Sequence, residues 1–208
     1  MVKVNGPLMS MDASGSIAGA ITFSRWKGRA YVRQRVVPAN PKSVLQVSVR
    51  AMMKFLSQAW SDVGTTPQGS WDEIAGDQSI SPFNAYIQEN LGRWRQFQAP
   101  GQTYPTPETG TPPVATLDSA VGGPSYIDLT MTITTLNDTW GVILFRSPTG
   151  TFTTSRANAI AVIPVTGTGT LVYTDPGLTA GTYYYDARFF TTEGVLGAEE
   201  GEVNGTAT

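Results

Sequence analysis

Five of the chain's fourteen prolines lie in the fifteen residues from Ala99 to Pro113, and this segment constrains the possible fold strongly. Proline fixes φ and has no backbone N–H to donate, so neither a helix nor a central strand continues through such a segment. The segment is predicted to be an extended, semi-rigid spacer of the polyproline type. We therefore expect an N-terminal domain of residues 1–99, a linker of residues 100–112 and a C-terminal domain of residues 113–208.

The chain has 208 residues and contains neither histidine nor cysteine. This composition excludes disulfides, thiol nucleophiles and Ser-His-Asp triads, and it removes the residues that ordinarily bind zinc. The acidic groups Asp72 with Glu73, and Glu199 with Glu200 and Glu202, have no supporting residues around them in the sequence. We interpret them as solvated surface charges and predict a protein that is not an enzyme and that uses no cofactor and no metal.

No apolar run reaches the roughly 18 residues that a membrane span needs, so no membrane partner is expected. The N-terminus, residues 1–6, lacks the apolar region of a signal peptide, which predicts a protein not exported by that route. Residues 1–99 hold 11 Lys and Arg against 6 Asp and Glu, whereas residues 100–208 hold 3 against 10. Either the two halves meet different environments, or copies attract head to tail, or two ordinary domains simply differ in charge.

The N-terminal half begins with a predicted β-hairpin over residues 17–37, with strands at 17–24 and 29–37 around Gly28. Alternation along the second strand places Arg29, Tyr31, Arg33 and Arg35 on one face. Basic and aromatic side chains alternate here, which defines the candidate docking residues: Arg25, Trp26, Lys27, Arg29, Tyr31, Arg33 and Arg35.

Three interpretations of this cationic hairpin stay open. It is either a docking surface for an acidic protein shell, or a solvated strand face, or a nucleic-acid contact that combines phosphate neutralisation with aromatic stacking. We favour docking and consider nucleic acid the least favoured partner.

Helices are predicted at about 44–60 and 82–97, with a short helical segment near 70–75. Ser43 and Gln46 have the spacing of a capping box, and Ser81 before Pro82 has the pattern of an N-cap followed by proline. In the first helix the apolar stripe consists of Leu45, Val49, Met52, Met53, Leu56 and Trp60. The N-terminal half is therefore an α+β domain, a hairpin with two or three helices.

The C-terminal half has the pattern of an all-β domain. In residues 126–134 the apolar side chains alternate with Asp128 and three threonines, as in a strand with one buried face. Further strands are predicted at 139–145, 159–163, 170–173, 182–190 and 197–203. Six or seven short strands in about 95 residues are typical of an immunoglobulin-like sandwich.

The segment Leu178–Arg188, with a glycine turn and then Tyr183, Tyr184 and Tyr185, resembles the corner before the sixth strand of fibronectin type III modules. The resemblance covers residues 113–203. It implies a tyrosine corner formed by one of the three tyrosines. It departs from the family at Met131 and Ile133, where the second strand of the family carries tryptophan.

The first half resembles, more loosely, N-terminal domains of small proteins encoded by tailed bacteriophages and prophages. The residues that carry this resemblance are Ser14, Gly15, Gly19, Trp26, Lys27, Gly28, Arg29, Tyr31, Val32, Arg33, Asn40, Pro41, Gln46, Arg50, Trp60 and Trp71. The resemblance implies a virion structural protein, assembled in the host cytoplasm, whose partners are other virion proteins and copies of itself.

The resemblance favours a capsid decoration or cement protein, with a tail or head–tail connector component as the alternative. A carbohydrate-binding module is a second alternative, because Tyr126, Trp140 and Tyr184 are aromatic side chains that could stack on sugars.

Overall fold

The computed structural model describes residues 2–3, 15–17, 19–37, 40 and 42–208. The chain forms two compact units, residues 1–41 and residues 42–208. The division expected at residues 100–112 is wrong, because the helices that precede this segment and the strands that follow it belong to one unit. Ser14 and Pro41 of the phage-like motif lie outside the described residues.

The first unit contains a small antiparallel sheet in the order β1-β4-β3-β2. Its strands are β1 (Val2–Lys3), β2 (Gly15–Ile17), β3 (Ile21–Trp26) and β4 (Arg29–Gln34). β3 and β4 form the predicted hairpin. Lys27 and Gly28 between them both have positive φ, 48° and 75°, as the two central residues of a type I′ turn require.

Four helices open the second unit, namely α1 (Val44–Ala59), α2 (Thr65–Gly69), α3 (Asp72–Gln78) and α4 (Pro82–Arg95). The predictions of helices at 44–60 and 82–97 agree with α1 and α4 to within two residues. Ser81 caps α4 as predicted, because its hydroxyl accepts from the Asn84 N–H at 3.2 Å. The capping box predicted at Ser43 is wrong, since its side chain makes no cap hydrogen bond.

Seven strands follow in two antiparallel sheets, which pack face to face as a sandwich. The strands are β5 (Val114–Gly123), β6 (Tyr126–Thr135), β7 (Thr139–Ser147), β8 (Ala159–Pro164), β9 (Gly169–Pro176), β10 (Gly181–Thr191) and β11 (Val203–Ala207). The sheet orders are β11-β10-β7-β8 and β5-β6-β9. The alternation predicted for β6 is confirmed, because its inward apolar residues, Ile127 to Ile133, are at most 3% exposed. The strand predicted at 197–203 is instead β11, and β5 was not predicted.

The larger sheet is covered on both faces, which makes the second unit three layers deep. Val142 and Leu144 of β7 lie in the core between the two sheets, whereas Ile143 and Phe145 lie in a second core with the helices. Every residue of β7 from 139 to 145 is therefore buried. In the helix layer α1 packs against β8 and α4 packs against α1, with Met52, Phe55, Leu56 and Trp94 fully buried.

The buried face of α1 is rotated from the predicted stripe. Leu45 and Met53 are 49% and 37% exposed, while Phe55, absent from the predicted stripe, is 1% exposed. Phe55 packs edge-on to Trp140 and Phe190 at ring distances of 5.0 and 5.3 Å. Ser48 is buried as well, because its hydroxyl accepts from the Trp94 indole N–H at 3.0 Å.

The proline-rich segment is part of the second unit and is no free spacer. The Asn90 side chain donates to the Gly101 carbonyl at 3.0 Å and accepts from the Gly101 N–H at 2.8 Å. The Trp71 indole donates to the Gln102 carbonyl at 2.8 Å, and Arg93 forms an ion pair with Glu108 at 2.8 Å. These bonds fix the segment on the helices, which corrects the expectation of a linker at 100–112.

Candidate functional site

The β3–β4 hairpin gathers four of the seven candidate docking residues on one face. Residues directly opposite in an antiparallel pair lie on the same face, and the register pairs Trp26 with Arg29, Ser24 with Tyr31 and Thr22 with Arg33. Trp26 is 65% exposed opposite the exposed Arg29, and Arg33 is exposed farther along the same face. We call Trp26, Arg29, Tyr31 and Arg33 the hairpin face.

The other three candidates lie elsewhere on the hairpin. Arg25 pairs with Ala30 and is on the opposite face, together with the buried Phe23. Lys27 is in the turn, and its Nζ lies 4.9 Å above the Trp26 ring. Arg35 follows β4, where its N–H donates to the Ala20 carbonyl at 2.7 Å. The face predicted from alternation is correct within β4, and Trp26 joins it because of the two-residue turn.

The charge of the hairpin is of one sign. Residues 19–37 contain four arginines and one lysine but no Asp or Glu. A surface of this kind attracts anionic partners at long range and is sensitive to salt. The large apolar side chain of Trp26 is mostly exposed, and a partner that covers it removes this apolar surface from water.

A second candidate surface, which sequence reasoning missed, is a groove of about 480 Å³ between α1 and β8, within the second unit. The cations Lys42, Arg50 and Lys54 line it, together with residues 160–164 of β8 and Tyr173 of β9. One sequence signal pointed to it, because α1 contains two basic residues and no acidic residue.

The aromatic platform considered for sugar binding is not formed. Trp140 is 8% exposed, and it packs between Phe55 and Phe190 in the core under the helices. Tyr126 is 36% exposed on β6, and Tyr184 is half-buried on β10. A sugar-stacking surface needs exposed aromatic faces in a row, so burial of Trp140 removes the basis of that alternative.

The acidic groups do not converge as catalytic carboxylates do. Asp72 and Glu73 are exposed on the short helix α3. Glu199 accepts from the Thr154 hydroxyl at 2.5 Å and from its N–H at 3.1 Å, and these bonds lower the pKa of the carboxyl. Burial raises the pKa of Glu200 and of Asp186. Among the described residues no group of three or more Asp and Glu side chains is placed to hold a metal ion.

The structure distinguishes the three successive tyrosines. The Tyr183 hydroxyl donates to the Thr179 carbonyl four residues upstream at 3.2 Å, which is the contact of a tyrosine corner. Tyr185 is fully buried and donates to Asp175 at 2.9 Å. The corner residue implied by the fibronectin resemblance is therefore Tyr183.

No family model and no curated protein matches this sequence. Among solved structures, a Fn3-like protein from Clostridium thermocellum is similar at 22% identity, covering 47% of this chain and 96% of that one, with a TM-score of 0.36. The chicken CNTN1 FN1–FN3 domains match at 20% identity over 48% of this chain and 35% of that one, with a TM-score of 0.31.

A β-1,2-glucanase from Parabacteroides distasonis matches at 18% identity and a TM-score of 0.38, over 50% of this chain. This chain spans only 14% of the glucanase. The strands after residue 113 form two antiparallel sheets of four and three strands, an immunoglobulin-like sandwich as the sequence predicted. No helix among the described residues is long and apolar enough to cross a membrane.

Proposed function

We propose that the chain is a non-enzymatic structural protein of a bacteriophage virion, which attaches to the particle through the hairpin face and presents the immunoglobulin-like module. In its most specific form the proposal is a capsid decoration or cement protein. The observation that carries it is the hairpin face itself, where Trp26 is 65% exposed and lies directly opposite the exposed Arg29.

Tryptophan and arginine are the residue types that contribute most to protein interfaces, because they combine large contact areas with directional hydrogen bonds. The described part of the sheet that presents them contains little core. Phe23 is the buried hydrophobic residue among the described residues of the first unit. A small sheet gains stability when a partner covers it, so attachment to an assembly stabilises this unit.

The charge of the hairpin favours an acidic partner surface. Five cationic side chains in residues 19–37 accelerate encounter with an anionic protein shell and disfavour basic partners. The second unit, by contrast, buries its large aromatic side chains in two cores of its own. This division of roles supports a hairpin that binds and a sandwich that is displayed.

The test is reconstitution on particles that lack the protein. Full-length wild type, Trp26→Ala and the double variant Arg29→Glu with Arg33→Glu are mixed with such particles and sedimented. We expect at least tenfold weaker binding for both variants, because exposed strand positions tolerate the changes and an interface does not. The matched control is Arg95→Glu with Arg156→Glu, which changes the net charge equally outside the hairpin.

Equal occupancy of the hairpin variants and wild type would disprove attachment by this face. A mobility-shift titration with duplex DNA at low salt tests the nucleic-acid alternative, and tight binding lost in the arginine variant would favour it. Electron microscopy of gold-labelled protein on the reconstituted particles separates a capsid position from a tail or connector position.

A further inference from the structure

The groove between α1 and β8 runs along an edge of the sandwich that no described strand covers. We propose that it binds an extended, acidic segment of a partner protein, added as a strand beside β8. This surface belongs wholly to the second unit and is independent of the hairpin face.

The groove faces the backbone edge of β8. Among the strands that the structure describes, β8 is the last in the order β11-β10-β7-β8 and has β7 as its one neighbour. Five successive residues, 160–164, line the groove. Because successive side chains of a strand point to opposite faces of the sheet, a surface lined by all five lies along the edge.

Backbone groups of β8 point into this space. The Val165 N–H donates to the Trp140 carbonyl at 3.0 Å, so the backbone polar groups of Val165 point toward β7. Those of Ile163, two residues earlier, point the same way. In an antiparallel pair the intervening residues turn their N–H and C=O groups the other way. The N–H and C=O of Val162 therefore point toward the groove, and these are the groups that an added strand bonds.

The two walls suit the alternating side chains of an added strand. One wall is α1, with Val47 and Ala51, and the other contains Tyr173 of β9, the edge strand of the opposite sheet. An added strand directs successive side chains to these two walls in turn. The volume of about 480 Å³ is in the range of clefts that bind ligands.

The positive charge of the groove favours an acidic partner segment. Among the described residues that line it, Lys42 and Lys54 are exposed cations and none is Asp or Glu, so acidic segments are attracted and basic ones repelled. The same cations disfavour a second copy of the chain paired edge to edge, because two sets would then lie close together. Charge and backbone edge together specify an acidic extended peptide from another protein.

The experiment uses the full-length chain and three fluorescein-labelled ten-residue peptides. The first alternates valine and glutamate, the second alternates valine and lysine, and the third is the glutamate peptide with two valines replaced by proline. Fluorescence anisotropy measures the affinities. We expect the valine–glutamate peptide to bind at least tenfold more tightly than the other two, since proline keeps the charge but prevents strand pairing.

Two variants test the location. Lys42→Glu with Lys54→Glu changes exposed side chains only, and we expect it to weaken binding at least tenfold. Arg95→Glu with Arg156→Glu is the control of equal charge and should bind as wild type does. In hydrogen exchange, the Val162 amide should become protected when the peptide binds.

Equal affinity for the proline peptide, or unchanged binding by the lysine variant, would overturn the proposal. A DNA oligonucleotide that binds more tightly than the peptide, with binding lost in the lysine variant, would assign the groove to nucleic acid instead. A wild-type dimer that dissociates in the lysine variant on analytical ultracentrifugation would assign it to a second copy. Particle binding through the hairpin face is measured separately and does not depend on these outcomes.

Discussion

Nη1 of Arg146 on β7 lies 2.7 Å from Oδ2 of Asp175 on β9, so an ion pair joins the two sheets of the sandwich. The Tyr185 hydroxyl on β10 donates to the same oxygen at 2.9 Å. Burial and the Asp175 carboxylate raise the pKa of Tyr185, which keeps that hydroxyl protonated and able to donate. These three side chains thus form a polar link between the two sheets of the sandwich.

Replacing Asp175 with alanine should lower the free energy of unfolding by about 2–4 kcal/mol, because Arg146 and the Tyr185 hydroxyl both lose their partner. Urea denaturation measures the change. The matched control is Asp128→Ala on the adjacent strand, where the carboxylate bonds Thr174 near the surface and about 0.5 kcal/mol is expected. Equal effects of the two substitutions would show that the inter-sheet link is not important for stability.

Removing the hydroxyl group should lower the free energy of unfolding at Tyr185 but not at Tyr86. The Tyr86 hydroxyl is buried and has no hydrogen-bond partner among the described residues, so Tyr86→Phe should be neutral or stabilising by up to about 1 kcal/mol. Tyr185→Phe removes a satisfied bond and should cost about 1 kcal/mol. Thermal unfolding of both variants measures these changes. A Tyr86→Phe variant less stable than wild type would mean that the Tyr86 hydroxyl has a hydrogen-bond partner.

The bond pair between Asn90 and Gly101 should be among the strongest constraints on the proline-rich segment. Asn90 is fully buried, and Asn90→Ala leaves both the N–H and the C=O of Gly101 without partners. We expect a loss of about 2–3 kcal/mol and faster proteolysis within residues 99–113. Asn84→Ala, at an exposed position on the same helix, serves as the control.

Residues 42–208 should fold without the first unit, since both large cores lie within them. Residues 113–208 alone should not, because removing the helices uncovers Trp140, Ile143, Phe145 and Phe190. Circular dichroism, size-exclusion chromatography and binding of an apolar dye compare the two fragments. A monomeric 113–208 fragment that unfolds cooperatively and binds no dye would contradict the three-layer arrangement.

Two neighbouring glutamates should change the pH dependence of stability in opposite directions. Burial, and then the Asp186 carboxylate, raise the pKa of Glu200, so its ionised form opposes folding above the folded pKa. Glu200→Gln should therefore raise Tm at pH 7 by about 1–2 °C, an effect kept small by solvent screening. The difference should vanish below about pH 4, where the carboxyl is protonated in both the folded and unfolded states.

Glu199→Gln is the counterpart of that variant. Hydrogen bonds from Thr154 lower the pKa of Glu199, so the ionised carboxyl stabilises the fold above its unfolded pKa, and this stability is lost as the pH falls through the folded pKa. The variant should be less stable than wild type at pH 7 and approach it in acid. The check is Tm measured against pH for both variants and wild type. If both variants differed from wild type in the same direction at pH 7, these opposite pKa shifts would be contradicted.

Some features follow from short stretches of sequence. The alternation in residues 126–134, the Ser81-Pro82 helix start and the hairpin turn at Gly28 each depend on neighbours a few residues away, and each prediction agrees with the structure. The cationic part of the hairpin face, Arg29 to Arg33, follows from the same period of two. The alternation argument covered β4 alone, and the pairing across the turn places Arg25 on the opposite face.

Other features depend on partners distant in the sequence. The proline-rich segment has the composition of a spacer, yet Trp71, Asn90 and Arg93 fix it through bonds that its own sequence does not encode. The groove beside β8 combines α1 with a strand about a hundred residues later, so no local pattern contains both.

The continuous apolar run from Trp140 to Phe145 is the pattern of a strand buried on both faces, because a strand with one solvent-exposed face alternates. The run does not identify the element that covers the second face. Only the tertiary structure shows that the helix layer covers the second face of β7. Phe55 of α1, Trp94 of α4 and Trp140 of β7 lie in one buried cluster. No single element could remove this apolar surface from water alone, so the helices and the sheet are stabilised by packing together.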